Sequence, residues 1–206
     1  MSESRRPATY EDVLAVPERL VAEIVGGVLY TNARPASPHA HAQSTLGMDI
    51  GSAWQRGRGG PGGWWILVEP ELHFGADVLV PDLAGWRRDR MPVMPRTAYF
   101  ELAPDWICEV VSPSTGRLDR TAKLPVYARA GVPFAWLLDP LQRTLEVLEL
   151  EHGRWVLAET HAGEAPVRAR PFAAVPLALG DLWVPGVGEP RPAWQPSGRE
   201  PKPAVA

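Results

Sequence analysis

Pro104-Asp105-Trp106-Ile107-Cys108-Glu109-Val110-Val111-Ser112-Pro113 decides the fold. Trp106–Val111 is a short apolar run closed at both ends by proline. That pattern belongs to a central strand buried on both faces. Glu109 stands inside it. A carboxylate in an apolar strand is costly unless it is paired or bound to metal; the other reading is a solvent-facing strand position.

Downstream, the sequence predicts a helix over roughly Asp119–Ala130, stopped by Gly131. Pro125 lies within it and removes one backbone hydrogen bond, which kinks or delays the helix. Phe134–Leu138 reads as another apolar strand. Asp139-Pro140 and His152-Gly153 then turn the chain through Thr144–Leu150 and Arg154–Glu159, a β-meander.

Upstream, strands are expected at Trp64–Val68, at Glu71–Phe74 and from Val78 to about Trp86, followed by a polar, proline-containing connection over 87–104. Thr9 with Asp12 marks the start of a short helix to about Val16. Leu20–Val25, Gly26-Gly27 and Val28–Thr31 read as a hairpin. Ser37 and Pro38 suit N-cap and N1 of a second helix, whose Leu46, Ile50 and Trp54 share one face. The glycine-rich stretch 56–63 is a loop, and without a following Gly-Lys-Ser/Thr it is no P-loop. This order implies an α/β or α+β fold with a mixed sheet, neither a Rossmann domain nor a barrel.

The 206 residues suit one domain with an appendage. Prolines 185, 190, 192, 196, 201 and 203 mark residues 185–206 as a flexible tail. A net charge of −3 supplies no global basic field, so nucleic-acid contact must come from local patches. Arg87, Arg88, Arg90 and Arg96 form one candidate, Arg56 and Arg58 another; each is also readable as solvated loop charge. Cys108, the single cysteine, excludes an intrachain disulfide and a cysteine-rich zinc site, and reads as a buried thiol. No apolar stretch reaches the ~18–20 residues of a membrane span, and the N-terminus carries no apolar signal core. A soluble, cytoplasmic protein is expected.

Phosphodiester hydrolysis needs a cation to offset charge and a positioned water. Mg²⁺ prefers oxygen ligands, usually one or two carboxylates with water and phosphate. Asp82 follows Val78-Leu79-Val80-Pro81, at the end or bend of a strand. Neighbouring strands lie ~4.8 Å apart, so Asp82 and Glu109 on one face could share a cation. Taken alone, Asp82 is also readable as a Pro-Asp turn. His39 and His41, two apart, do not share a helical face and make a poor metal pair; the other reading is a His contacting phosphate near the site. Asp77, Ser112 and Thr115 read as turn or capping residues, and Tyr127, on the helical face of Lys123 four residues on, as core packing, with packing beneath the site as the other reading.

These residues carry a resemblance. Leu79-Val80-Pro81-Asp82-Leu83, Ala103 through Thr115, Asp119, Lys123, Tyr127 through Pro133 and Trp136-Leu137-Leu138-Asp139-Pro140, preceded by Ala22-Glu23-Ile24-Val25-Gly26-Gly27, resemble the PD-(D/E)XK nucleases. Within them they resemble the restriction-endonuclease-like Uma-two family. The resemblance spans residues 8–184 and implies a restriction-endonuclease-like core with a mixed central sheet flanked by helices. It implies that Asp82, Glu109 and the Val110 carbonyl bind Mg²⁺, with Mn²⁺ as a substitute. The superfamily lysine usually falls two residues after the glutamate, where this chain has Val111. The resemblance places it at Lys123 instead, to orient or activate water and stabilise the phosphorane. Glu23 matches a further acidic ligand or water-positioner. The implied protein is a Mg²⁺-dependent DNA endonuclease acting as a homodimer, with the tryptophan-rich meander as one possible interface. The competing expectation is a catalytically inactive nucleic-acid- or protein-binding module on the same fold, which the acidic balance favours.

Overall fold

A computed structural model of the chain describes residues 6–33 and 36–187. Most of the expected tail therefore lies outside the described residues. A six-stranded mixed sheet forms the centre. It comprises β3 (Trp64–Val68), β6 (Leu83–Arg87), β8 (Trp106–Val110), β9 (Phe134–Asp139), β10 (Thr144–Glu151) and β11 (Arg154–Ala162), in the order β11-β10-β9-β8-β6-β3. The β8–β9 pair is parallel and the rest are antiparallel. The expected mixed sheet and helices are present. All five residues of β8 are buried, as the proline-bounded run predicts.

A second sheet, not separated from the first in the sequence reading, has the order β2-β1-β5-β4-β7. Its strands are β1 (Leu20–Val25), β2 (Val28–Ala33), β4 (Glu71–Phe74), β5 (Asp77–Leu79) and the two-residue β7 (Tyr99–Phe100), which lies within the supposed polar connection. Gly26 and Gly27 both have positive φ, 60° and 78°, the demand of a two-residue hairpin turn.

The strand expected from Val78 to Trp86 is two strands in two sheets. β5 pairs with β1 through Ile24↔Val78, whereas β6 pairs with β8 through Leu83↔Cys108. Val80-Pro81-Asp82 is the crossing between them. Pro81 has no N–H for a ladder, and the Val80 N–H is taken by a side chain, Glu23 Oε1, at 2.8 Å.

Helix α1 (Tyr10–Leu14) is shorter than expected, and the Asp12 carboxylate accepts the Thr9 N–H at 2.8 Å. Helix α2 (Ser37–Ile50) continues into a π turn, Gly51–Gln55, and buries Leu46, Ile50 and Trp54 as read. The helix after β8 is broken in a specific way. A single turn, α3 (Gly116–Leu118), leads into a π turn, Asp119–Lys123, and then α4 (Leu124–Ala130). Pro125 sits in the first turn of α4, where its missing N–H does least harm. The preceding widened turn absorbs the interruption and carries Lys123 inward.

The alternation of β8 divides two cores. Trp106, Cys108 and Val110 face α2 and the C-terminal segment, with Trp136 and Phe172. Ile107 and Val111 face α4 and the second sheet, with Tyr127 and Leu79. The C-terminal segment adds a ribbon, β12 (Pro166–Val167) with β13 (Leu177–Ala178), and a 3₁₀ turn at Leu179–Leu182. No described helix is long and apolar enough to cross a membrane.

Candidate active site

The β5–β6 crossing, the end of β8, the π turn and the β1–β2 hairpin meet around a cleft of about 600 Å³. Glu23, Asp82, Glu109 and Lys123 all line it. The structure therefore brings together the three expected acids and the lysine, across 100 residues of chain. Lys123 Nζ lies 2.8 Å from Glu23 Oε1, 2.9 Å from Glu109 Oε1 and 3.9 Å from Asp119 Oδ1. Glu23, Glu109, Asp119 and Lys123 are each only 2–3% exposed.

Val110 enters through its other backbone group. Its N–H donates to Asp82 Oδ2 at 2.7 Å, tying the start of β6 to the end of β8. The opposite oxygen, Asp82 Oδ1, lies 3.3 Å from His39 Nε2.

Five further residues were not assigned to the site from sequence. Asp119 was legible only as part of a motif. His39 looked like half of an unproductive pair. Gln43, one turn on in α2, donates to the Asp82 carbonyl at 3.2 Å and to Glu69 Oε1 at 3.1 Å, which brings Glu69 in as well. Tyr127 does pack in the core as expected, but its hydroxyl also donates to Glu109 Oε1 at 2.6 Å. The spacing of Lys123 and Tyr127, one helical turn, was the available signal.

Electrostatics follow from too many acids around one ammonium. Burial lowers the Lys123 pKa, but Glu109, Glu23 and Asp119 outweigh it and push the pKa up, so the side chain stays charged. Burial raises Glu109 well above the carboxylate range; Lys123 opposes this, while Asp119, Asp82 and Glu23 add to it. Burial likewise raises Tyr127 and keeps it a donor. The Cys108 thiol is also raised by burial, as an inert core thiol should be.

Asp119 is pushed from 3.8 to about 6, by burial first and against the pull of Lys123. The native state thus holds the Asp119 proton more tightly than the unfolded chain. This favours the fold below pH 4, weakens progressively from pH 4 to 6, and is gone above. Without divalent cation, the stability of the wild type relative to Asp119→Asn should fall across that window, by at most about 1.4 kcal/mol per pH unit. Urea melts of both proteins at pH 4, 5, 6 and 7 check this; parallel curves refute it.

The donor set fits a hard divalent cation. Five carboxylates, Glu23, Glu69, Asp82, Glu109 and Asp119, line the cleft against one lysine. Among the described residues, no three His, Cys, Asp or Glu side chains converge closely enough to cage a metal alone. Mg²⁺ does not need such a cage, since one or two carboxylates with water and phosphate oxygens suffice.

Two arginines of the expected basic patches lie at the end of β6 remote from Asp82: Arg87 pairs with Trp64, and Arg88 donates to the Trp64 and Gln55 carbonyls. Arg88 also stacks on Trp65 at 4.1 Å.

The family model Uma2, described as "Putative restriction endonuclease", matches residues 7–180. The chain belongs to the Uma2 family. Its fold is shared with a solved structure from Anabaena variabilis ATCC 29413, described as "a putative nuclease belonging to DUF820". The two are 26% identical with a TM-score of 0.69, over 86% of this chain and 98% of the other. No curated protein matches the chain. Membership of Uma2 places this chain in a nuclease family with a restriction-endonuclease-like fold.

Proposed function

We propose that this Uma2 protein is a Mg²⁺-dependent endonuclease of the PD-(D/E)XK type that hydrolyses DNA phosphodiester bonds. The observation that carries it is the convergence of Glu23, Glu109 and Asp119 on Lys123, with Asp82 held beside Glu109 by the Val110 N–H. Asp82 and Glu109 would hold the cation, with the Val110 carbonyl as a further candidate oxygen. Bound Mg²⁺ would offset phosphate charge and lower the pKa of a coordinated water.

The chain's own residues do the rest. Lys123 remains protonated and presents fixed positive charge where the phosphorane develops its own negative charge. Its ion pairs and the Tyr127 hydroxyl lock the Glu109 carboxylate in one orientation. Glu23 fixes both Lys123 and the Val80 N–H, so the crossing that carries Asp82 cannot slide.

Plasmid and single-stranded DNA incubated with Mg²⁺ or Mn²⁺ test this, wild type against Asp82→Asn and Glu109→Gln. A cation supplies several kcal/mol of transition-state stabilisation, so each variant should lose about 10²-fold or more in rate. Equal residual cleavage by all three proteins would mean a contaminant and sink the proposal. Mn²⁺ binding by calorimetry, weakened in Asp82→Asn, separates it from an inactive binding module. A homodimer would present two such clefts to the two strands of a duplex; a monomer in light scattering at micromolar concentration would remove that element.

A further inference from the structure

We propose that Gln43 and Glu69 are positioning residues, a two-residue clasp that holds Asp82 in place as a cation ligand. This rests on the nuclease reading above and gives a task to two residues that reading leaves without one.

The clasp closes on one main-chain oxygen. The Asp82 carbonyl accepts the Glu69 N–H at 3.0 Å and Gln43 Nε2 at 3.2 Å. Gln43 Nε2 also donates to Glu69 Oε1 at 3.1 Å. Both partners of Gln43 are acceptors, so the amide nitrogen must face them, and its two hydrogens are both used. Glu69 thus supplies one donor to Asp82 and orients the side chain that supplies the second. At the other end of the residue, Asp82 Oδ2 receives the Val110 N–H at 2.7 Å. Three donors, from the β3–β4 turn, α2 and β8, therefore grip Asp82 by its carbonyl and its carboxylate. The crossing needs anchors of this kind, because Pro81 has no N–H to give to either sheet.

The backbone of Glu69 is the second observation. Val68↔Leu83 ends the β3–β6 register, and the Glu69 N–H carries the ladder one bond further, to Asp82. Glu69 makes that bond with φ 48°, in the left-handed region that favours glycine. It does so directly before Pro70, where the chain prefers extended backbone. Such strain persists where the surroundings impose it, and it collects at functional sites. Glycine would make the turn without strain, but would leave Gln43 without its acceptor. Core packing does not explain the side chain either: Glu69 is exposed and lines the cleft, while Gln43 is the buried half, 5% exposed.

Three variants take the clasp apart. Gln43→Met keeps the length of the side chain and loses both donors. Glu69→Gly keeps the N–H and loses the acceptor. Glu69→Gln keeps an oxygen for Gln43 without the charge. Mn²⁺ affinity by calorimetry, melting temperature without cation and single-turnover DNA cleavage are measured for these and for Gln43→Met combined with Glu69→Gly. Loss of a partner that orients a metal ligand typically weakens affinity about 10- to 100-fold, so Gln43→Met and Glu69→Gly should each bind Mn²⁺ at least about tenfold more weakly than wild type. Glu69→Gly should nevertheless melt no lower than wild type, because glycine accepts φ 48° without strain. Glu69→Gln should recover most of the lost affinity. The double variant should bind no more weakly than Gln43→Met alone, since both changes open one clasp. Affinities within about threefold of wild type in Gln43→Met and Glu69→Gly overturn the proposal. So does a Glu69→Gln as weak as Glu69→Gly, which means that the carboxylate acts on the cation by its charge. Additive losses in the double variant, or affinities that fall in step with melting temperature, overturn it as well. If the wild type binds Mn²⁺ but cleaves no DNA, the nuclease reading falls and the affinities still decide the clasp; a wild type that binds no Mn²⁺ sinks both.

Discussion

Lys123→Met unfolds roughly 6–20 °C below the wild type. The estimate takes about 3–5 kcal/mol for breaking a buried ion pair and about 2–4 °C per kcal/mol for a domain of this size. The cost is not the lost attraction itself. Lys123 lies 2.8 Å from Glu23 and 2.9 Å from Glu109, and all three side chains are nearly sealed from water. Methionine matches the lysine stem but leaves two carboxylates without a counter-charge. Each must then be desolvated as an anion or take up a proton.

That gives the prediction a sign in pH. Burial already raises Glu109 with Lys123 present, and removing the ammonium raises it further. The variant's deficit is small where the Glu109 carboxyl is protonated and grows as pH rises through its elevated range. Thermal melts from pH 5 to 8 should show the two proteins diverging upward in pH. Adding Glu109→Gln and Glu23→Gln to Lys123→Met should recover much of the loss, since neutral amides no longer need a cation. A single variant as stable as wild type at pH 8 would show that the lysine does not hold this cluster. A deficit that the glutamines fail to relieve would point to packing instead.

How much of this site was readable from sequence depended on how each residue declared itself. Glu109 was conspicuous because a charge in a proline-bounded apolar strand has few innocent explanations. Asp82 and Lys123 became meaningful through the order of short motifs. The crossing at Pro81 was misread as one continuous strand, because the apolar run on either side of it is unbroken and nothing local says that its halves join different sheets. β7 escaped notice because two residues give no period to detect. Pro125 was recognised as an obstacle, but the solution, a π turn ending on Lys123, has no sequence signature. Gln43 was invisible as a site residue, and His39 was readable only as a phosphate contact near the site, for a different reason. Their contacts exist only once α2 lies against the Pro81-Asp82 crossing, 39 residues on from Gln43.

The C-terminal segment was the least legible element, and the largest purely apolar effect is expected there. Phe172→Ala should cost about 3–5 kcal/mol, the usual range for deleting a buried phenyl ring. Phe172 sits among four tryptophans, with ring centroids 5.1 Å from Trp54, 5.0 Å from Trp64, 4.9 Å from Trp106 and 5.6 Å from Trp136. Such tilted and edge-on pairs each add about 0.5–1.5 kcal/mol beyond burial, not additively. The indoles come from three strands and the π turn that extends α2, elements fixed in the sheet and its covering helix, so the cavity cannot readily collapse. Trp136 Nε1 also donates to the Arg170 carbonyl at 2.7 Å. Trp106 opens β8, the strand that carries Glu109 on its other face, so a loosened aromatic face also loosens the strand behind the candidate site. Urea unfolding by tryptophan fluorescence should place Phe172→Ala far below wild type, and Phe172→Leu between them. Hydrogen exchange should quicken first in 166–183. A Phe172→Ala loss under 1 kcal/mol, or exchange that quickens equally throughout the chain, would show that this segment covers the sheet without securing it.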